Sequence, residues 1–84
     1  MPRFYFDLSH SGEVYHDAGG TNLPTPLAAQ DRAIEIVSRF VAVPTTHGET
    51  RDIVCTVRDI GGHEVMRVTS VSGIPVIIDP GLSN

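Results

Sequence analysis

Along RFYFDLSHSGEVYHD, residues 3–17, apolar and polar side chains alternate with a period of two, and Ser9-His10-Ser11-Gly12 interrupts the pattern. Successive side chains of a strand point to opposite faces, so two such runs around a Ser/Gly break predict a β-hairpin. Taking His10-Ser11-Gly12 as a three-residue loop puts Gly12 at the left-handed position, which glycine enters without a Cβ penalty. That register pairs Ser9 with Glu13, Leu8 with Val14, Phe6 with His16, Asp7 with Tyr15 and Tyr5 with Asp17. The strands are then residues 3–8 and 13–17. Phe4, Phe6, Leu8, Val14 and His16 form an apolar face, and Arg3, Tyr5, Asp7, Glu13, Tyr15 and Asp17 form a mixed one.

The period changes after Leu23-Pro24. Thr25-Pro26 reads as an N-cap followed by proline at the first helical position, where the missing N–H has no partner to lose. At about 100° per residue, Leu27, Ala29, Ala33, Ile34, Ile36, Val37, Phe40 and Val41 fall on one half of the wheel, and Asp31, Arg32, Glu35, Ser38 and Arg39 on the other. An amphipathic helix over residues 26–42 follows, with Glu35 and Arg39 at i, i+4 in the favourable order.

Alternation returns over residues 52–59 and 64–71, separated by Gly61-Gly62. A two-residue Gly-Gly loop sets Val57 against Met66 and Cys55 against Val68, whereas a three-residue loop would set Cys55 against Arg67, so burial selects the even loop. Ile53, Cys55, Val57, Met66 and Val68 then face inward, and Val54, Thr56, Arg58, Val65, Arg67 and Thr69 face outward. Gly73-Ile74-Pro75 ends the pattern, which divides the chain into one domain, residues 1–73, and a C-terminal tail, residues 74–84.

Two hairpins around one helix give the order ββαββ. The expected fold class is α+β: a four-stranded, mainly antiparallel sheet with the helix packed on one face. The helix's apolar arc is wider than one sheet face needs, so its edge should meet either Val76-Ile77-Ile78 or a second copy of the chain.

Eighty-four residues build a thin core, which favours oligomerisation as a source of further burial. Six basic residues, all arginine, stand against ten acidic ones for a net charge of −4, which argues against nucleic-acid binding. A single cysteine, Cys55, excludes an internal disulfide, and no stretch reads as a signal peptide or a membrane span. The expectation is a cytoplasmic protein with no membrane partner.

Little in the chain points to catalysis. The four histidines, His10, His16, His47 and His63, lack metal-ligand spacing, and three of them fall in expected turns or loops. His16 is placed at the core edge opposite Phe6. Cys55 lies mid-strand on the apolar face, where burial raises a thiol's pKa, the reverse of what a nucleophile requires. Gly19-Gly20 and Gly61-Gly62 are turn chemistry and form no phosphate loop. No catalytic, cofactor-binding or metal-binding residue is assigned, and no cofactor is implied. The candidate interaction face is the outer sheet surface with Arg3, Tyr5, Asp7, Tyr15, Asp17, Arg58 and Arg67, since interfaces are enriched in tyrosine and arginine.

The opening Met-Pro-Arg-Phe-Tyr-Phe-Asp, the second strand centred on Asp17, Gly20-Thr21-Asn22-Leu23-Pro24, the Ala-rich helix and Val57-Arg58-Asp59 with Gly62 resemble a family of short bacterial proteins of unknown function, frequent in rhizobia and related alphaproteobacteria. The resemblance spans about residues 1–71. It implies a fold and hands over no catalytic residues. A weaker similarity, through Asp17, Leu23-Pro24 and the helix, is to the antitoxin halves of HicA/HicB-type toxin-antitoxin pairs. The functional expectation is therefore a non-enzymatic binding or protein-interaction module that self-associates as a dimer. The alternatives are an antitoxin-like regulator and a small enzyme.

Overall fold

A computed structural model describes residues 1–10, 12–41, 53–71 and 73–78. The chain runs β1 (Arg3–His10), β2 (Glu13–Tyr15), β3 (Thr21–Asn22), α1 (Pro26–Val41), β4 (Ile53–Arg58), β5 (Glu64–Val71) and β6 (Ile74–Ile78). These form an α+β fold with one helix and a sheet of six strands, not four, in the order β2-β1-β4-β5-β6, with β3 also pairing β1. Every pairing is antiparallel. Expected positions Ala42 and Asp52, the loop carrying His47, and residues 79–84 lie outside the described residues.

The central ladders follow the burial pattern. Val57 pairs Met66 and Cys55 pairs Val68, as the alternation requires. Ile53, Cys55, Val57, Met66 and Val68 are all buried, with Phe4 and Phe6 of β1 beside them. Ala29, Ala33 and Val37 of α1 close the other side of this core, and Ile34, Ile36 and Phe40 pack at its margin. Leu27 stays exposed. Thr25 caps α1 by accepting a hydrogen bond from the Ala28 N–H at 3.1 Å, and Arg39 pairs with Glu35 at 3.0 Å.

Both hairpin turns differ from expectation, in opposite senses. Only two residues separate His10 from Glu13, and the register is Leu8 with Tyr15, Ser9 with Val14 and His10 with Glu13. Gly12 does adopt a left-handed conformation, φ +81°, but the loop is one residue shorter than three. Paired residues share a sheet face, so the one-residue shift exchanges the faces of β2. Val14 leaves the apolar face for the outer one, and Tyr15 leaves the outer face to sit beside Leu8. His16 is likewise absent from the core, with an exposed side chain near Asp7.

In the second hairpin the loop is three residues, not two. The Asp59 N–H donates to the His63 carbonyl at 2.9 Å, leaving Ile60, Gly61 and Gly62 between them, with Gly62 at φ +84°. The register shifts between Val57 and Arg58, where Val65 is the unpaired residue of a bulge. The bulge returns the strands to the pairing that burial demands. His10, expected in a loop, ends β1 on the inner face with its ring edge-on to Phe40 at 4.9 Å.

Two strands were not expected. Residues 74–78, assigned to a tail, form β6 on the free edge of β5, and the apolar edge of α1 reaches this strand. Thr21-Asn22 form β3 against Phe4 and Arg3, and the Leu23 N–H extends that contact to the Pro2 carbonyl at 3.0 Å.

Candidate functional site

The helix covers one face of the sheet; the site lies on the other. On β1 the odd positions Arg3, Tyr5, Asp7 and Ser9 point outward, opposite the phenylalanines. Tyr5 pairs Arg58, Asp7 pairs Thr56, and Ser9 pairs Val54 across the β1–β4 ladder. The β1–β4 ladder thus brings residues far apart in the chain onto one surface.

Asp7 is the centre of this surface and is buried, although it faces away from the helix. Its carboxylate accepts from Arg58 Nη2 at 3.1 Å and also from Arg58 Nε, a two-pronged pair. It accepts a third hydrogen bond from the Asp17 backbone N–H at 2.9 Å, and His16 Nδ1 stands 3.7 Å away. The Arg58 guanidinium holds the Asp7 carboxyl below the usual carboxylate range, against an opposing push from burial; the Asp17 N–H adds to the lowering. Arg58 also lies over the Tyr5 ring, 5.2 Å from its centroid.

Asp17 stands where the sheet edge has a gap. β3 pairs β1 at residues 3 and 4, and β2 pairs it at residues 8–10, which leaves the middle of β1 without a neighbour on that side. The Asp17 carboxylate enters the gap and accepts the Phe6 N–H at 3.2 Å. Its other oxygen accepts from the Gly19 and Gly20 N–H groups at 3.2 and 3.0 Å. A side chain here substitutes for a strand. Gly20 has φ +71°, and a Cβ there would lie 2.9 Å from both Arg3 Cγ and Tyr5 Cε2, so only glycine lets this loop close on the sheet. Arg3 locks the closure, donating to the Gly19 carbonyl at 2.7 Å and to Asn22 Oδ1 at 3.1 Å.

Next to Asp7, a shallow depression of about 320 Å³ is lined by Asp7, Ser9, Val14, His16, Val54, Thr56 and Arg67. Arg67 is held by Glu64 at 2.8 Å. The depression is open to solvent, and the Asp7 carboxylate in its lining already accepts hydrogen bonds from Arg58 and the Asp17 N–H.

Five of the seven candidate residues, Arg3, Tyr5, Asp7, Arg58 and Arg67, therefore share the outer surface, and Asp17 joins them from the sheet edge through its N–H to Asp7. Tyr15 does not: it lies on the helix-side face, its hydroxyl donating to Glu13, which raises its pKa. Sequence reasoning read Gly20 as a turn residue but missed its close approach to Arg3 and Tyr5, and it missed the outward His16. The spacing Asp17-Ala18-Gly19-Gly20 carried the first signal, since an aspartate bonding backbone N–H groups two and three residues on is a turn signature. The second was hidden by the register.

Two other chemistry-bearing groups, Cys55 and Asp59, are taken up by the fold. Cys55 is fully buried, and burial pushes its thiol up to about 12. It lies on the face opposite His16, so the two do not form a nucleophile and base. Asp59 accepts the His63 and Gly61 N–H groups, each at 2.9 Å, and organises its turn. Among the described residues no three His, Cys, Asp or Glu side chains gather as a metal site requires, and no helix is long and apolar enough to cross a membrane.

No curated protein and no solved structure matches the chain. Residues 3–72, spanning β1 through β5 and hence the whole Asp7–Asp17–Arg58 cluster, match a family, and the chain belongs to it: the domain of unknown function DUF6894.

Proposed function

We propose that the protein is a non-enzymatic protein-interaction module that self-associates through its sheet. The observation that carries this reading is the asymmetry of the fold: α1 covers one sheet face, and among the described residues no element packs on the other. A domain built of two packed layers leaves a sheet face bare when that face is solvated or serves as an interface. This bare face holds a rigid polar cluster at β1–β4 and exposed aliphatic side chains at β5–β6. The reading as a non-enzyme is supported by the state of the polar groups. Asp7, Asp17 and Arg58 satisfy one another, and the Cys55 thiol is buried and protonated.

Sedimentation velocity over a range of concentrations tests the reading: a mass that rises from monomer to dimer is expected. A strict monomer at all concentrations would overturn it. Recovery of the chain in a stoichiometric complex with a second, different small protein that behaves as a toxin would turn the reading towards an antitoxin-like regulator.

A further inference from the structure

The outer face divides into two halves. The polar half, around Asp7, spends its hydrogen-bonding groups on itself and offers a partner little. The other half is different. In the β5–β6 ladder Val71 pairs Ile74, Thr69 pairs Val76 and Arg67 pairs Ile78, so Val71, Ile74, Val76 and Ile78 share the outer face. These side chains are 53%, 64%, 39% and 47% exposed. They form one aliphatic row without a charge among them.

We infer that this row is the self-association surface and that its occupant is the same row of a second copy, packed face to face across a two-fold axis. The inference rests on the self-association proposed above and adds where it occurs.

Two observations select this geometry. First, the alternative of joining sheets through the free edge of β6 is blunted by Pro75. Only two residues separate Val71 from Ile74, and the closing pair of a two-residue hairpin is the hydrogen-bonded one. The backbone groups of Ile74, Val76 and Ile78 are therefore turned to β5, and those of Pro75 and Ile77 to the free edge. Proline has no N–H, which leaves Ile77 as the donor on this edge among the described residues. Second, the area fits. The four side chains expose roughly 350 Å² of apolar surface, a patch of functional size. Two copies would bury roughly 700 Å² of apolar surface through these side chains, with Thr69 and Arg67 beside them on the same face as a polar rim, the scale of a small, transient interface. A dimer of this size is expected to be weak and reversible. The charged neighbour of the row on this face, Arg67 beside Ile78, is paired with Glu64 at 2.8 Å, so a copy placed on the row meets a neutralised charge there.

The test is sedimentation velocity of the wild type against Val76→Glu and Ile74→Glu, with Leu27→Glu on the exposed helix flank as the control and circular dichroism to verify folding. The expected result is a wild-type dimer, lost in both sheet variants by at least tenfold in Kd and retained in Leu27→Glu. Should a glutamate prevent folding, Ile74→Ser repeats the measurement with a smaller change. A dimer that survives in the sheet variants overturns the proposed location while leaving self-association intact. A wild-type monomer overturns both. A monomer that dimerises only after deletion of residues 79–84 assigns the row to the chain's own end and overturns the second copy as its occupant.

Discussion

Arg58 and Asp7, 51 positions apart in the chain, meet through two hydrogen bonds on the sheet face that the helix leaves open. The pair bridges β1 and β4, the strands that join the first hairpin to the second. Because Asp7 also accepts the Asp17 N–H, one carboxylate holds together the β1–β4 ladder and the loop that closes the edge of β1.

Removal of that carboxylate leaves the Arg58 guanidinium and the Asp17 N–H without their acceptor. Asp7→Ala should destabilise the fold by about 2 kcal/mol, the scale of losing charged hydrogen bonds at a buried site. Urea unfolding measures this as a lower midpoint at unchanged m. A double-mutant cycle with Arg58→Ala should give a clear coupling energy, and additivity of the two substitutions would show that the pair is incidental.

Acid should reveal the same residue. The folded-state pKa of Asp7 is lowered from the ordinary 3.8, chiefly by Arg58, so its ionised form is favoured by folding. The associated stability is fully present above the unfolded value and is lost as pH falls below it through the folded value. Asp59, lowered by the His63 and Gly61 N–H groups, acts in the same direction. Between neutrality and about pH 5 the urea midpoint should change little on account of these groups, then fall more steeply below pH 4. Asp7→Asn should flatten the acid limb; an acid limb as steep as wild type would refute the assignment.

Gly20 and Gly12 offer a controlled comparison. Both have positive φ, but a Cβ at position 20 would strike Arg3 and Tyr5, whereas one at position 12 meets open space. Gly12→Ala should show backbone strain alone, about 1 kcal/mol, and Gly20→Ala should lose clearly more. Thermal unfolding of the two variants decides the matter, and equal losses would mean that the loop yields without disturbing the sheet.

The Cys55 thiol, buried and pushed up to about 12, should not react with a disulfide reagent at neutral pH in the folded protein. Full modification is expected once urea unfolds the chain. Stoichiometric reaction under native conditions would contradict both its burial and its exclusion from chemistry.

The two hairpins show why some of this architecture is legible in the chain and some is not. In β4 and β5 the inner residues Ile53, Cys55, Val57, Met66 and Val68 are each buried, so a one-residue slip would expose the whole set. That penalty outweighs the turn: the loop takes three residues instead of two, and the bulge at Val65 absorbs the difference. Alternation alone therefore suffices to pair Val57 with Met66 and Cys55 with Val68. The helix is legible for similar reasons, since Thr25-Pro26 marks its start and the 3.6-residue period marks its buried stripe.

β2 has no such constraint. Its three residues are exposed, so neither register changes how much apolar surface is buried, and the turn geometry decides. That decision moves Tyr15 away from the candidate face and turns Val14 and His16 towards Asp7. Strand β6 is a further case: Ile74-Pro75-Val76-Ile77-Ile78 has the composition of an edge strand, but only the presence of β5's unpaired edge makes it one. The sequence by itself determines the buried residues of β1, α1, β4 and β5 and the side of the sheet they face, because burial energy there is large and periodic. Tertiary structure alone decides that Asp7, Asp17 and Arg58 share their charges and that an aliphatic row stands on the open face. Those contacts depend on registers that the burial pattern of the chain leaves free.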